Sequence, residues 1–463
     1  MIARLFGGLS LVALTLATPA LAENKPDPVS SWTLQQAIGN PDDLKVTGSI
    51  RLRYEALDNQ FRPGLDPDGD LVEAQTAIAA QWTPGPLRVG AELVDARAYG
   101  GKPGSSVGTS EVDTFELLQA YVGADLGDAF GKGSHATLDV GRFVLDLGSR
   151  RLVARSNFAN APNGFAGVRF DLTTSAKSAL TLFYTRPTQK LPTSKAAILD
   201  NAFEWDRNGA ELTFWGGLYS HPKVFGKAGV EGYFFALDEH DRPGRPTRDR
   251  RLCTPGIRLF REAAAGKLDY ELEYAFQFGS ISASTAPTAP RLPVAAHYLH
   301  AEVGYKAAVA WQPRVALVYD LATGDGIGRS YGRFDGLFGS RRADYGPTGL
   351  YGPLGRSNLS SPGLRLEVTP SKRWDAMAFW RLAWLDKASD SFASTGVVDP
   401  TGHSGKFAGH QIEARARYWL IPKSVRLELG AATLIRGQFL KTAPNANRTG
   451  NPLYGFGDLT ISF

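Results

Sequence analysis

Apolar and polar residues alternate with a period of two along most of the chain. The clearest run is Leu268, Tyr270, Leu272, Tyr274, Phe276 and Phe278, interleaved with Asp269, Glu271, Glu273, Ala275 and Gln277. A β-strand sends successive side chains to opposite faces, so this spacing predicts a strand with one apolar and one polar face. Ile412, Ala414, Ala416, Tyr418 and Leu420 alternate in the same way with Gln411, Glu413, Arg415 and Arg417. So do Val46, Gly48, Ile50, Leu52 and Tyr54 with Thr47, Ser49, Arg51, Arg53 and Glu55. A soluble sandwich also alternates. Length separates the two cases: many segments run about 9 to 13 residues, the span a tilted strand needs to cross a bilayer. The apolar faces end in Tyr, Trp or Phe, as the aromatic girdles of an outer-membrane barrel require.

Eighteen such segments are predicted. They lie near 45–56, 70–82, 87–95, 114–126, 135–145, 165–173, 178–186, 208–216, 227–238, 250–260, 267–279, 294–305, 313–321, 361–369, 374–385, 408–420, 425–435 and 453–463. The fifth, sixth, ninth and tenth are the least regular, which keeps 16 strands as an alternative. The connections supply an independent test, because bacterial barrels alternate short periplasmic turns with long extracellular loops. Pro84-Gly85-Pro86, Thr173 to Ser178, Ala263 to Gly266, Pro370 to Arg373 and Pro422 to Ser424 are tight. The links 57–69, 96–113, 146–164, 187–207, 239–249, 280–293, 322–360, 386–407 and 436–452 are long and rich in Gly, Pro, Asp and Asn. Those at 127–134, 217–226 and 306–312 are intermediate. The expected fold is therefore all-β: a transmembrane antiparallel up-and-down barrel of about 18 strands over 45–463, a size within the known range.

Composition changes this picture in three places. The chain has 463 residues, 51 of them Gly and 28 Pro, with a single Cys that excludes an internal disulfide. Residues 1–22 read as a secretory leader, with Arg4 in the n-region, Leu5 to Ala17 as the apolar stretch and Ala20-Leu21-Ala22 as the cleavage site. Residues 23–44 then form a periplasmic N-terminal segment. Removing Arg4 with the leader takes the formal net charge from +5 to +4. The terminal Phe463, with Ile461 and Leu459 alternating before it, resembles the sorting signal of bacterial outer-membrane proteins.

The polar faces carry the candidate chemistry. Arg51, Arg53, Arg142, Arg151, Arg169, Arg365, Arg381, Arg415, Arg417 and Arg426 are placed toward the lumen, among carboxylates such as Glu55, Glu73, Glu92, Glu271, Glu273, Glu302, Glu367, Glu413 and Glu428. Guanidinium groups bind carboxylates bidentately, so a ladder of them can pass a polyuronate from site to site. The competing reading is that Arg–Glu pairs on neighbouring strands only brace the wall. The 146–164 link, carrying Arg150, Arg151 and Arg155, is expected to fold into the lumen as a constriction. Trp374, Trp380, Trp384, Tyr418 and Trp419 fit a membrane girdle better than a sugar-stacking track, except Trp419, which falls on the polar phase. Tyr331, Phe334 and Phe338 in the 322–360 link suggest a packed lid.

Three stretches resemble the alginate-export family of outer-membrane barrels. Gly141 to Asp171 (GRFVLDLGSRRLVARSNFANAPNGFAGVRFD) is similar to a family strand reading GRQ, a YGS-RLV turn and an RRSFDGVR-like return. Phe143 stands where the family has Gln, and Pro162-Asn163 replaces a basic pair. Pro255 to Gly279 is similar to GLRLFG…DYDWEAAYQFG, and Tyr319 to Leu359 contains DLATGDG, similar to DYASGD, and a Gly-rich Leu-Phe segment. The resemblance implies a secretin-like outer-membrane porin, anion-selective and monomeric, that passes an anionic polysaccharide or oligouronide. It further implies contact with lipid and lipopolysaccharide and with periplasmic export partners, and no nucleic acid. The substrate-binding set is then Arg142, Arg150, Arg151, Arg155, Arg169, Arg365, Arg381, Arg415 and Arg417.

The alternatives are a general or substrate-specific uptake porin for oligosaccharides or small anions and, from another class, a barrel enzyme. A structural adhesin has the least support. No Ser–His–acid arrangement can be assembled around His403, Ser404 and His410, so no catalytic residue is expected. No cofactor or metal site is expected either: Asp66 to Asp70 lacks the Gly and distal Glu of a calcium loop.

Overall fold

The computed structural model describes residues 32–224, 226–242 and 244–463; the leader expected at 1–22 lies outside them. Eighteen antiparallel strands form one closed sheet. In chain order they are β1 (Leu44–Asp58), β2 (Gly69–Trp82), β3 (Leu87–Tyr99), β4 (Asp113–Gly127), β5 (His135–Phe143) and β6 (Phe165–Thr173). Then come β7 (Ala179–Pro187), β8 (Leu212–His221), β9 (Gly229–Glu239), β10 (Arg251–Arg261), β11 (Lys267–Ser282) and β12 (Arg291–Lys306). The wall ends with β13 (Arg314–Ala322), β14 (Leu359–Ser371), β15 (Trp374–Trp384), β16 (Phe407–Ile421), β17 (Val425–Arg436) and β18 (Leu453–Ser462). Each strand pairs with its sequence neighbours, and β1 pairs with β18 from Ser49↔Ser462 to Asp58↔Leu453. Closure leaves no strand edge unpaired, the condition for a sheet to lie in hydrocarbon.

The expected count of 18 is the observed one. The eighth strand sits later than expected, at 212 rather than 208, because Arg207 to Glu211 is a loop in which the Arg207 guanidinium binds the Glu211 carboxylate. This shift shortens the following turn to 222–228, and the parity of short and long links becomes cleaner. Among the described residues, no helix is long and apolar enough to cross a membrane; the spanning elements are strands.

Period two sorts the side chains as expected. On β11, Leu268, Leu272, Tyr274 and Phe278 are exposed on the outer surface, while Asp269, Glu273 and Gln277 are buried inside. Trp380 and Tyr418 are exposed on the outer face as a girdle residue would be. A charge on this face has no partner and no water, so Leu272→Arg at mid-strand is expected to lower stability by about 2–4 kcal/mol. Thermal unfolding in lipid checks this.

The extracellular half of the barrel is filled. Phe143, Phe165, Phe183, Phe214, Phe235 and Tyr298 point inward and form a buried cluster with Leu145, Leu147, Leu152 and Val153 from the loop after β5 and Phe334 from the loop after β13. Tyr331 and Phe338 pack against it, so the aromatic residues of the 323–358 loop cover the inner wall as a lid does. At the periplasmic rim, helix α1 (Leu34–Ala37) starts in a capping box on Thr33. The Gln35 side chain ties it to β1 by accepting from Val46 N (2.8 Å) and donating to Leu44 O (2.8 Å).

Candidate functional site: an arginine-rich crossing in the lumen

Two long loops fold into the lumen and cross there. The loop 144–164 is held to β1 through its backbone carbonyls. Arg51 donates to Asn157 O (2.8 Å) and Ala159 O (3.1 Å), and Arg53 donates to Phe158 O (2.8 Å) while stacking on the Phe158 ring at 3.9 Å. Fully buried Asn160 continues the attachment by donating to Ala74 O, Arg97 O and Glu111 O. The 323–358 loop then pairs with it in a short parallel ladder: Phe338 N donates to Leu152 O (3.0 Å), Ala154 N to Phe338 O (3.1 Å) and Ser340 N to Arg150 O (2.9 Å). The ladder requires a glycine at 339, where a Cβ would overlap the carbonyl oxygen of Arg151.

A buried ion cluster locks the crossing. Arg151 reaches Asp344 of the partner loop (3.1 Å), Glu273 of the wall (2.8 Å) and Glu271. Arg356 binds the other side of Asp344 and donates to Ser340 O (2.6 Å). Burial alone would raise the Asp344 carboxyl; Arg151 and then Arg356 outweigh it and hold the group well below the usual carboxylate range.

On the periplasmic side of the crossing lies a cavity of about 590 Å³. Its lining presents nine arginines, Arg51, Arg53, Arg150, Arg258, Arg342, Arg365, Arg415, Arg417 and Arg426, against five carboxylates, Asp146, Asp344, Glu367, Glu428 and Asp458. The surplus of guanidinium groups makes this an anion-binding surface. Arg415 and Arg417 share the one carboxylate of Asp375, at 3.3 and 2.9 Å. Arg342 sits loosely between Glu413 and Glu428, 3.6 Å from each. Arg150 is exposed and its guanidinium makes neither a hydrogen bond nor an ion pair among the described residues; its backbone is held at φ +63° by the loop. A non-glycine residue in that region marks a conformation imposed by its surroundings.

Of the residues expected to bind substrate, the structure brings Arg150, Arg365, Arg415 and Arg417 together in this cavity. It gives the others carboxylate partners outside this cavity or in the lock, Arg142, Arg169 and Arg381 on strands and Arg151 and Arg155 on the 144–164 loop. Arg381, 1 % exposed, lies against Asp320 (3.3 Å), and Arg142 is bound to Glu116 and Leu117 O. Arg151 serves the lock, Arg155 makes a double contact with Glu92, and Arg169 pairs with Asp171 at 2.6 Å. The bracing alternative therefore describes these five. Arg258 and Arg342 were missed; the Arg341-Arg342 doublet in the Gly-rich loop was the one signal for the second.

Three carboxylates that sequence spacing did not associate also meet near the extracellular rim. Asp113, Glu116 and Asp206 bring oxygens within 4.8 Å of one another. Burial, then Asp113 and Glu116, push Asp206 in the 188–211 loop up from 3.8 to about 8. A raised acid stabilises the folded loop fully below its ordinary value, and that contribution is lost as pH rises through about 8. Amide exchange at Ala202 in the same loop, whose N–H donates to Ala197 O (2.9 Å), is expected to quicken as pH approaches 8, beyond the intrinsic pH effect. Asp206→Asn is expected to remove that excess.

The profile of the family described as alginate export matches residues 42–452. No curated protein matches the chain. Solved structures with a similar fold include OccAB1 of Acinetobacter baumannii (12% identity, TM-score 0.59, covering 91% of this chain and 97% of that one). OccK5 (OpdH) of Pseudomonas aeruginosa is similar at 11% identity and TM-score 0.55, covering 91% and 99% of the two chains. OccK2 (OpdF) of P. aeruginosa, solved in complex with glucuronate, is similar at 11% identity and TM-score 0.55, covering 91% and 97%.

Proposed function

The chain belongs to the alginate export family of the outer membrane, and from that premise we propose that it passes an anionic polysaccharide or oligouronide through the arginine-rich crossing. The observation that carries this reading is the cavity with nine arginines against five carboxylates, where the Arg150 guanidinium has no partner among the described residues. A uronate carboxylate entering it exchanges water for guanidinium donors, and the neighbouring Arg342, Arg415 and Arg417 offer the next contacts. Because all of them are similar in kind, the anion moves between near-equal sites and is not trapped. Transport is passive; direction comes from concentration or from periplasmic partners. The chain acts as a monomer, with residues 1–22 as its export leader and 23–44 as a periplasmic segment. It catalyses no reaction.

A second reading, uptake of small anionic solutes, is favoured by the crossing itself, which leaves a cavity of about 590 Å³ in place of an open bore. OccK2, the similar barrel solved with glucuronate, fits that reading. Planar-bilayer recording separates the two. Anion preference with block by oligouronates of several residues supports polymer passage, and block by monouronates alone supports uptake. Cation preference overturns both.

A further inference from the structure

Above the crossing, the extracellular loops form an open cavity of about 380 Å³, whose lining includes Arg62, Arg341, Arg356, Ser357 and Ser394 and no carboxylate. Its size falls in the range of small-ligand sites. The three arginines come from the loops 59–68 and 323–358, outside the strand ladder, and each is anchored by its neighbours. Arg62 donates to Leu350 O (2.7 Å) and to Tyr351 O. Arg341 has Ser394 Oγ (2.7 Å) as its hydrogen-bond acceptor and forms no ion pair among the described residues. Arg356 is buried and spends one nitrogen on Asp344, while its Nε is buried without a partner.

Gathering like charges is costly where acids are few, and here Asp344 serves Arg356 while only the more distant Glu111 acts on Arg62 and Arg341. Burial, then Arg341, lower Arg62 to about 10; burial, then Arg356, lower Arg341. An oxyanion placed between them lowers that cost, since it adds countercharge beside Arg62 and Arg341 and accepts from groups already held in position.

We propose that Arg62, Arg341 and Arg356, with Ser394, form an extracellular site that binds a carboxylate of the transported anion before or after it passes the crossing. This rests on the reading of the channel as an anion path. Arg341 and Arg342 are consecutive, yet Arg341 lines the outer cavity and Arg342 the inner one. The segment 339–342 is thus a thin partition with a guanidinium on each side. A carboxylate leaving one face meets the next charge a single residue away.

The test uses the whole barrel in oriented planar bilayers, with glucuronate or inorganic phosphate added to one side at a time. In Arg341→Gln the rate of block by extracellular glucuronate is expected to fall about tenfold, the loss of one charge-assisted contact, and in Arg62→Gln/Arg341→Gln, where that variant folds, by more. Block from the periplasmic side falls far less. An unchanged extracellular rate, an equal fall from both sides, or no extracellular glucuronate block in the wild type overturns the site. Block by phosphate in place of glucuronate overturns the carboxylate assignment. Reversal potentials measured on the same membranes judge the anion path separately: a cation-preferring wild type defeats the channel reading, whereas an anion-preferring one without side-specific loss defeats only the outer site.

Discussion

Asp344→Ala is expected to raise single-channel conductance severalfold and to destabilise the extracellular half of the barrel. The carboxylate is the common partner of Arg151 and Arg356, and it is the only ion-pair partner that Arg356 has among the described residues. Removing it leaves Arg356 buried beside Arg151 with no carboxylate of its own, while Arg151 keeps Glu271 and Glu273, and breaking a buried pair costs about 3–5 kcal/mol. Most of that is expected to be relieved by separation of the 144–164 and 323–358 loops, because their ladder consists of three hydrogen bonds beside the lock. Conductance steps and thermal unfolding, recorded on one preparation, check both halves. Unchanged conductance would show that the ladder and the aromatic cluster hold the loops without the lock.

Arg150→Glu is expected to reduce the anion-to-cation permeability ratio by at least about tenfold: a unit charge is worth about 1 kcal/mol to an ion about 4 Å away in water, so the two-unit change exceeds the roughly 1.4 kcal/mol that a tenfold change requires. Arg150 faces the cavity without a partner among the described residues, so its charge is fully presented. Arg169→Gln is the comparison: its guanidinium is matched by Asp171 outside that cavity, and the ratio is expected to change little. Reversal potentials in a salt gradient measure both. Equal effects would mean that selectivity is set by the summed field of the wall.

The strands were legible because a wall with lipid on one side and water on the other forces period two on every segment that crosses it. Errors fell where that constraint lapses. Arg207 to Glu211 runs straight into the alternating segment that begins at Leu212 yet lies beyond the wall, and its local ion pair keeps it a loop. The ends of β3 and β11 run on to Tyr99 and Ser282, past the point where alternation fades, because strands continue to pair above the membrane. The site was half legible. The residue types and the inward loop followed from composition and length. Arg150 and Arg151 were indistinguishable, however, since what separates them is that Arg151 is locked by Glu271, Glu273 and Asp344, all far away in the chain. The meeting of Leu152 with Phe338 has no local signature either.

Sharing Asp375 between Arg415 and Arg417 has a consequence for the conditions under which the channel discriminates. Guanidinium groups keep their protons at every pH a cell meets. Acid can therefore only subtract negative charge from this trio, and alkali cannot subtract positive charge. A lining built on lysine or histidine would lose its preference somewhere on the pH scale; this one sharpens on acidification and otherwise stays put. For a pore open to the outside, whose surroundings the cell does not buffer, the sign of the preference becomes a fixed property of the wall.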